Sequence, residues 1–201
     1  MFEARKTRSR RPPSPYASKG DFCRIFGEHM SGLYLLSFLL TGDEAMAEQC
    51  FVGGLHIAQS DNLVFKEWAE SWARRAIILN AIRMIRPRPT PVHTPAVVGR
   101  NAGEAAAEPS EITRIVALPP FERFAFVMSV LEGYSDQECS LHLSCTRNEI
   151  RAARARALEQ LARWAELDRK VVDIDSGRAV EAENSRPDVR LDTVSELAAS
   201  A

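Results

Sequence analysis

The chain has 201 residues, enough for one or two compact domains, and its 26 Lys and Arg nearly balance 27 Asp and Glu. Its four cysteines show no C-x-x-C spacing, and its longest apolar run, "LYLLSFLL" at 33–40, is far too short to cross a bilayer. No membrane span or paired-cysteine motif is therefore expected, and a reducing cytoplasm is the expected setting. The net charge of −1 conceals an uneven distribution, with Arg5, Lys6, Arg8, Arg10, Arg11 and Lys19 against Glu3 at the start and an acidic bias beyond Asp168.

Residues 1–20 are basic and proline-rich, a composition expected to stay disordered; Pro12, Pro13 and Pro15 stand where a signal peptide would have its apolar core. From Asp21 a helical period begins, with Phe22, Ile25, Phe26, Met30, Leu33, Leu36 and Leu40 on one face. A second helix is expected from a Thr41–Glu44 capping box to about Gln59, with Ala47, Cys50, Phe51, Leu55 and Ala58 inward. The loop "SDNLV" (60–64) follows. A third helix then carries Phe65, Trp68, Trp72, Ala76, Leu79 and Ile82 on one face and Arg74, Arg75, Asn80, Arg83 and Arg86 around the rest, until Pro87 and Pro89 stop it. Residues 87–110 are rich in Pro, Gly and Ala without periodicity, which reads as a linker.

The second unit spans 111–167. Ser110 caps a short helix ending near Leu118, and "LPPFERFAFVMSVLEG" reads as a proline-started helix closed by Gly133. Two capping boxes follow, Ser135–Glu138 and Thr146–Glu149, separated by the turn "LSCT". The first helix turns Cys139 and Leu143 inward; the second turns Ile150, Ala153, Ala157, Leu158 and Leu161 inward. Two helices joined so tightly describe a helix-turn-helix, whose second helix offers its N-terminal residues to the major groove. Here those residues are Arg147, Asn148, Arg151 and Ala152, and Arg154, Arg156 and Arg163 continue the charge. Arginine pairs bidentately with guanine or phosphate, and asparagine with adenine. The same arginine- and alanine-rich composition also suits a plain solvated helix, so the row by itself leaves both readings open. Little fixed structure is expected beyond about Lys170. The whole is read as all-α: two small helical domains joined by a Pro/Ala-rich linker.

At these residues the chain resembles the bacterial RNA polymerase sigma factors of the small, two-domain extracytoplasmic-function type. "LPPFERFAFVMSVLEGYSDQECSLHLSCTRNEIRAARARAL" is similar to the family's region 4; "LYLLSFLLTGDEAMAEQ" and "FKEWAESWARRAIILNAIRMIRP" are similar to parts of region 2. The resemblance implies region 2 over 21–88, a linker over 89–110, region 4 over 111–167 and an acidic tail over 168–201. It implies RNA polymerase core and promoter DNA as partners, with room for an anti-sigma factor, and no enzymatic activity or cofactor in the chain itself. By position, Arg147, Asn148, Arg151, Ala152 and Arg154 would read or hold the minus-thirty-five element, and Arg74, Arg75, Asn80 and Arg83 would face the minus-ten duplex. Ser60, Asp61, Asn62, Leu63 and Val64 would form the melting loop that captures an unstacked base.

The segment that would bind the polymerase clamp, Glu48, Gln49, Val52 and Gly53, departs from the family: Gln49 and Gly53 stand where acids are usual. Gly53 and Gly54 also suit a tight helix–helix contact. In the turn, Ser144 stands where glycine is common, and Ala153 where arginine is. Two alternatives stay open: a helix-turn-helix regulator with a different N-terminal module, and a degenerate sigma-like chain that binds polymerase or a partner without initiating. The four histidines have no metal-ligand spacing with Cys, Asp or Glu, so no metal is expected. Trp68 and Trp72, four apart, suit core packing or base stacking.

Overall fold

A computed structural model describes residues 14–60, 63–89 and 110–184, with side chains as far as Leu167. The expected basic tail over 1–13, most of the linker (90–109) and the chain end (185–201) lie outside the described residues. Among the described residues, eight α-helices fall in two groups: α1 (Lys19–Glu28), α2 (Met30–Thr41), α3 (Glu44–Gln59) and α4 (Ala69–Ile85), then α5 (Glu111–Val116), α6 (Pro120–Phe126), α7 (Asp136–Leu143) and α8 (Arg147–Asn184). The all-α expectation holds, and strand pairing among the described residues is limited to one bridge, Tyr16 with Phe65.

Ordered chain begins earlier than composition suggests. Ala17 N–H donates to Val64 O (2.7 Å), Lys66 N–H donates to Pro15 O (3.0 Å), and the rings of Tyr16 and Phe65 lie 4.9 Å apart. Ser18 then caps α1 reciprocally with Asp21. The single helical run expected over 21–40 is broken at His29, flanked by the weak helix formers Gly27 and Gly32, and Met30 turns outward. The third start also differs. Asp43, not Thr41, caps α3 by accepting from Met46 N–H (2.8 Å), while Thr41 ends α2 and donates to Ser37 O (2.8 Å). Gly42 between them takes φ +76°, which closes α2.

α3 and α4 approach closely because α3 is bare there. A Cβ on Gly54 would lie 3.2 Å from Ile77 Cα, and one on Gly53 would overlap Asn80 Nδ2. The face of α4 that enters the core is accordingly small, with Ala69, Ala73, Ala76, Ile77, Ile78 and Ala81 buried. The expected aromatic face is displaced: Trp68 is 59% exposed and Phe65 also reaches solvent.

In the second group, Pro119 and Pro120 start α6, which widens into a π turn over Val127–Leu131 and closes at Gly133 (φ +71°), where Tyr134 N–H donates to Met128 O (2.9 Å). Phe121, Phe124, Phe126, Val127 and Met128 form its core with Cys139, Leu143, Ile150, Ala153 and Ala157; Leu158, expected inward, is exposed. Little fixed structure is expected from the sequence beyond about Lys170, but α8 continues to Asn184.

The groups meet where α2 packs on α5 and α6 and α4 touches α7. Arg123 is buried at this junction. Its Nη1 donates to Val116 O (2.7 Å) and its Nη2 to Thr41 O (3.0 Å), so one cation caps the C-terminal carbonyls of α2 and α5.

Candidate nucleic-acid interface

α7 and α8 start on complete capping boxes. Ser135 N–H and Oγ donate to Glu138 Oε2 (2.8 and 2.7 Å), and Thr146 N–H and Oγ1 donate to Glu149 Oε2 (2.7 and 2.8 Å). These bonds to the ionised carboxylates hold Glu138 and Glu149 below the ordinary glutamate range. Between the helices Ser144 takes φ +52°, ψ +47°, and its N–H donates to Ser140 O. The turn thus needs the left-handed backbone at the position where Ser144 replaces the usual glycine.

On α8, Ile150, Ala153 and Ala157 face the core, so Arg147, Asn148, Arg151 and Ala152 lie outward. Arg147, Arg151 and Arg154 follow the i, i+4, i+7 rule along one face, a span of about 10 Å. A helix presenting such a face fits a major groove about 12 Å wide. Ala153, where arginine is common in the family the chain resembles, is fully buried, so an arginine there would require repacking. Arg151 is 59% exposed in its side chain, yet its Nε donates to Asp136 Oδ2 (2.7 Å); Arg154 Nη1 donates to Asp136 Oδ1 (2.7 Å). Arg156 does not extend the free positive row: it binds Glu122, which is buried, through Nε (3.0 Å) and Nη2 (2.8 Å).

Residues 112–161 match the family model of sigma-70, region 4. This match to the sigma region 4 helix-turn-helix domain covers the described turn and the outward arginine face. No curated protein and no solved structure matches the chain.

The other expected residues scatter more. Arg75 and Arg83 are exposed. Arg74 is not available in this arrangement: Nε donates to Glu132 Oε2 (2.8 Å) and Nη2 to Glu132 Oε1, tying α4 to the end of the π turn. Asn80 points into the α3 contact, donating to Cys50 O (3.1 Å). Gly53 likewise faces Asn80 rather than a partner, whereas Glu48, Gln49 and Val52 are exposed on α3. Of the expected melting loop, Asp61 and Asn62 lie outside the described residues; Ser60 is exposed, and Leu63 and Val64 border an open recess of about 380 Å³ with Trp68, Trp72, Arg75 and Tyr134. The indole N–H of Trp72 is buried there without an acceptor among the described residues.

Sequence reasoning passed over Asp136, Glu132 and Glu122. Asp136 had a signal, an acid in the first turn of the helix preceding the arginines; the partners of Arg74 and Arg156 are 58 and 34 residues away in sequence and carried none. Among the described residues no group of three His, Cys, Asp or Glu could hold a metal ion, and no helix is long and apolar enough to cross a membrane.

Proposed function

We propose that the chain is a sigma factor of the extracytoplasmic-function type, with α1–α4 acting as region 2 and α5–α8 as region 4. It binds RNA polymerase core in the cytoplasm and directs it to a set of promoters, and the polymerase supplies the chemistry. The observation that carries the reading is the coincidence of the region 4 match with an outward face of Arg147, Asn148, Arg151 and Ala152 at the start of α8. These residues and Arg154 contact the upstream element, the arginines through guanine or phosphate.

In region 2, Arg75 and Arg83 meet the downstream duplex, and the recess beside Leu63 and Val64 receives an unstacked base against Trp68 or Trp72. Glu48, Gln49 and Val52 dock on the polymerase, and an anti-sigma factor competes for these surfaces.

A second reading is supported by two observations: Gly53 is spent on packing, and Arg74 is bound by Glu132. In it the chain occupies polymerase without initiating. Reconstitution separates the two. Purified chain is combined with sigma-free bacterial polymerase and genomic fragments, and run-off transcripts are sequenced. Discrete starts sharing a spaced two-part motif are expected; polymerase binding without specific starts would leave the second reading, and failure to bind polymerase would overturn both.

A further inference from the structure

Asp136 is the first residue of α7, and it spends both carboxylate oxygens on the reading helix. Oδ2 accepts from Arg151 Nε and Oδ1 from Arg154 Nη1, each at 2.7 Å. Helix capping does not require this, since Ser135 and Glu138 already complete the capping box. The Arg151 contact contributes little to folding, since an ion pair to an arginine this exposed is weak, while the less exposed Arg154 anchors the same carboxylate.

Two physical consequences follow for DNA. An arginine with a free side chain must surrender rotamer freedom when it binds, and one already held does so to a smaller extent. The contact to Arg151 uses Nε, which leaves the two terminal amino groups to span guanine O6 and N7. The carboxylate also places a negative charge beside the phosphate backbone, which disfavours any complex in which the arginines touch phosphate alone. Orientation favours the right base pair, and repulsion penalises the wrong ones.

We propose that Asp136 is a positioning residue that sets the sequence discrimination of Arg151 on duplex DNA. This rests on the reading of α8 as the helix that enters the major groove. It differs from a contact residue because Asp136 itself touches no base.

The test uses the full-length chain, wild type and Asp136→Asn, with a library of duplexes randomised over about one helical turn. Wild type is expected to enrich a motif. Against the enriched duplex and its base-permuted counterpart, Asp136→Asn is expected to lose about tenfold of the preference, the order of one mismatched base pair. Its affinity for the permuted duplex holds or rises, and Asp136→Glu recovers part of the preference. A merely structural role would shift the melting temperature and lower both affinities together. Asp136→Ser, a residue suited to a helix first turn, replaces Asn where Asn proves unstable. An unchanged preference in the neutral variants overturns the proposal and leaves the DNA-reading role of α8 intact. So does equal tightening on both duplexes, which would make Asp136 a simple electrostatic brake. If wild type enriches nothing, the role of α8 falls and the proposal with it.

Discussion

At Ser144 and Arg151, local backbone and side-chain geometry translate directly into measurable energies. Ser144 sits at φ +52°, a left-handed conformation that costs a residue with a Cβ about 1–2 kcal/mol. Glycine removes that strain but adds about 0.4–1 kcal/mol of unfolded-state entropy. Strain relief wins, so Ser144→Gly is expected to stabilise the chain by about 0.5–1 kcal/mol, read as a higher urea midpoint. No gain would mean that the turn relaxes at little cost. Arg151→Ala is expected to weaken binding to a cognate upstream element by about 1–3 kcal/mol while sparing unrelated duplexes. Equal loss on every sequence would assign Arg151 to phosphate. Both residues were legible in sequence, because turn chemistry and helix phase are local. The Asp136 contact was only signalled, by an acid in the first turn of α7; which arginines it holds depends on the angle at which α7 meets α8.

At the scale of elements, glycines in similar helical positions have opposite value. Gly54 meets the Ile77 backbone, whereas a Cβ on Gly32 would meet nothing within 4 Å. Gly54→Ala is therefore expected to destabilise, since overpacking costs about 1–3 kcal/mol against a propensity gain of about 1 kcal/mol. Gly32→Ala is expected to stabilise by up to about 1 kcal/mol. Thermal melts of the pair decide the matter, and matching shifts would remove the close-contact account of α3 and α4. Gly53→Asp is expected to weaken or leave unchanged any polymerase binding, because the new side chain collides with Asn80 before it reaches a partner.

The helix starts add a pH dependence. Asp21, Glu138 and Glu149 all titrate below their ordinary values because their cap partners, Ser18, Ser135 and Thr146, hydrogen-bond the ionised form. A depressed folded value means that the stabilisation is present above the unfolded carboxylate range and is lost as pH falls through the lowered values. Far-UV signal at α1, α7 and α8 should therefore fade on acidification below the usual carboxylate range, and Glu138→Gln with Glu149→Gln should blunt that response.

For the whole molecule, the junction between the helix groups matters most. Arg123 donates to the ends of both α2 and α5, and burial lowers its pKa. Arg123→Met leaves buried carbonyls unpaired, a cost of about 1–3 kcal/mol each at most. It is expected to lower the melting temperature and to split one transition into two; a single unchanged transition would show that apolar packing alone joins the groups. The proposed function makes a further demand. Promoter elements centred about 25 base pairs apart lie about 85 Å apart along B-DNA, beyond the reach of helix groups in contact. The contacts of α2 with α5 and α6 must then open on polymerase. Fluorescence transfer between labels on α3 and α8 is expected to fall when core polymerase is added, and constant transfer would contradict simultaneous reading of both elements.

What the sequence by itself determined is what local chemistry controls. The all-α class, the two capping boxes of the helix-turn-helix, the closure at Gly133 and the outward phase of Arg147, Asn148 and Arg151 follow from spacing and capping, and each is present. Local signals failed where two starts competed: Asp43 displaced Thr41 because its carboxylate reaches Met46 N–H once Gly42 has turned the chain. Tertiary structure alone decided which charges remain available. Arg74 and Arg156 look like Arg151 in sequence, but Glu132 and Glu122 claim them through space, whereas Asp136 holds Arg151 and Arg154 at the start of α8. A charge repeats no period, so its partner becomes knowable only when distant helices meet.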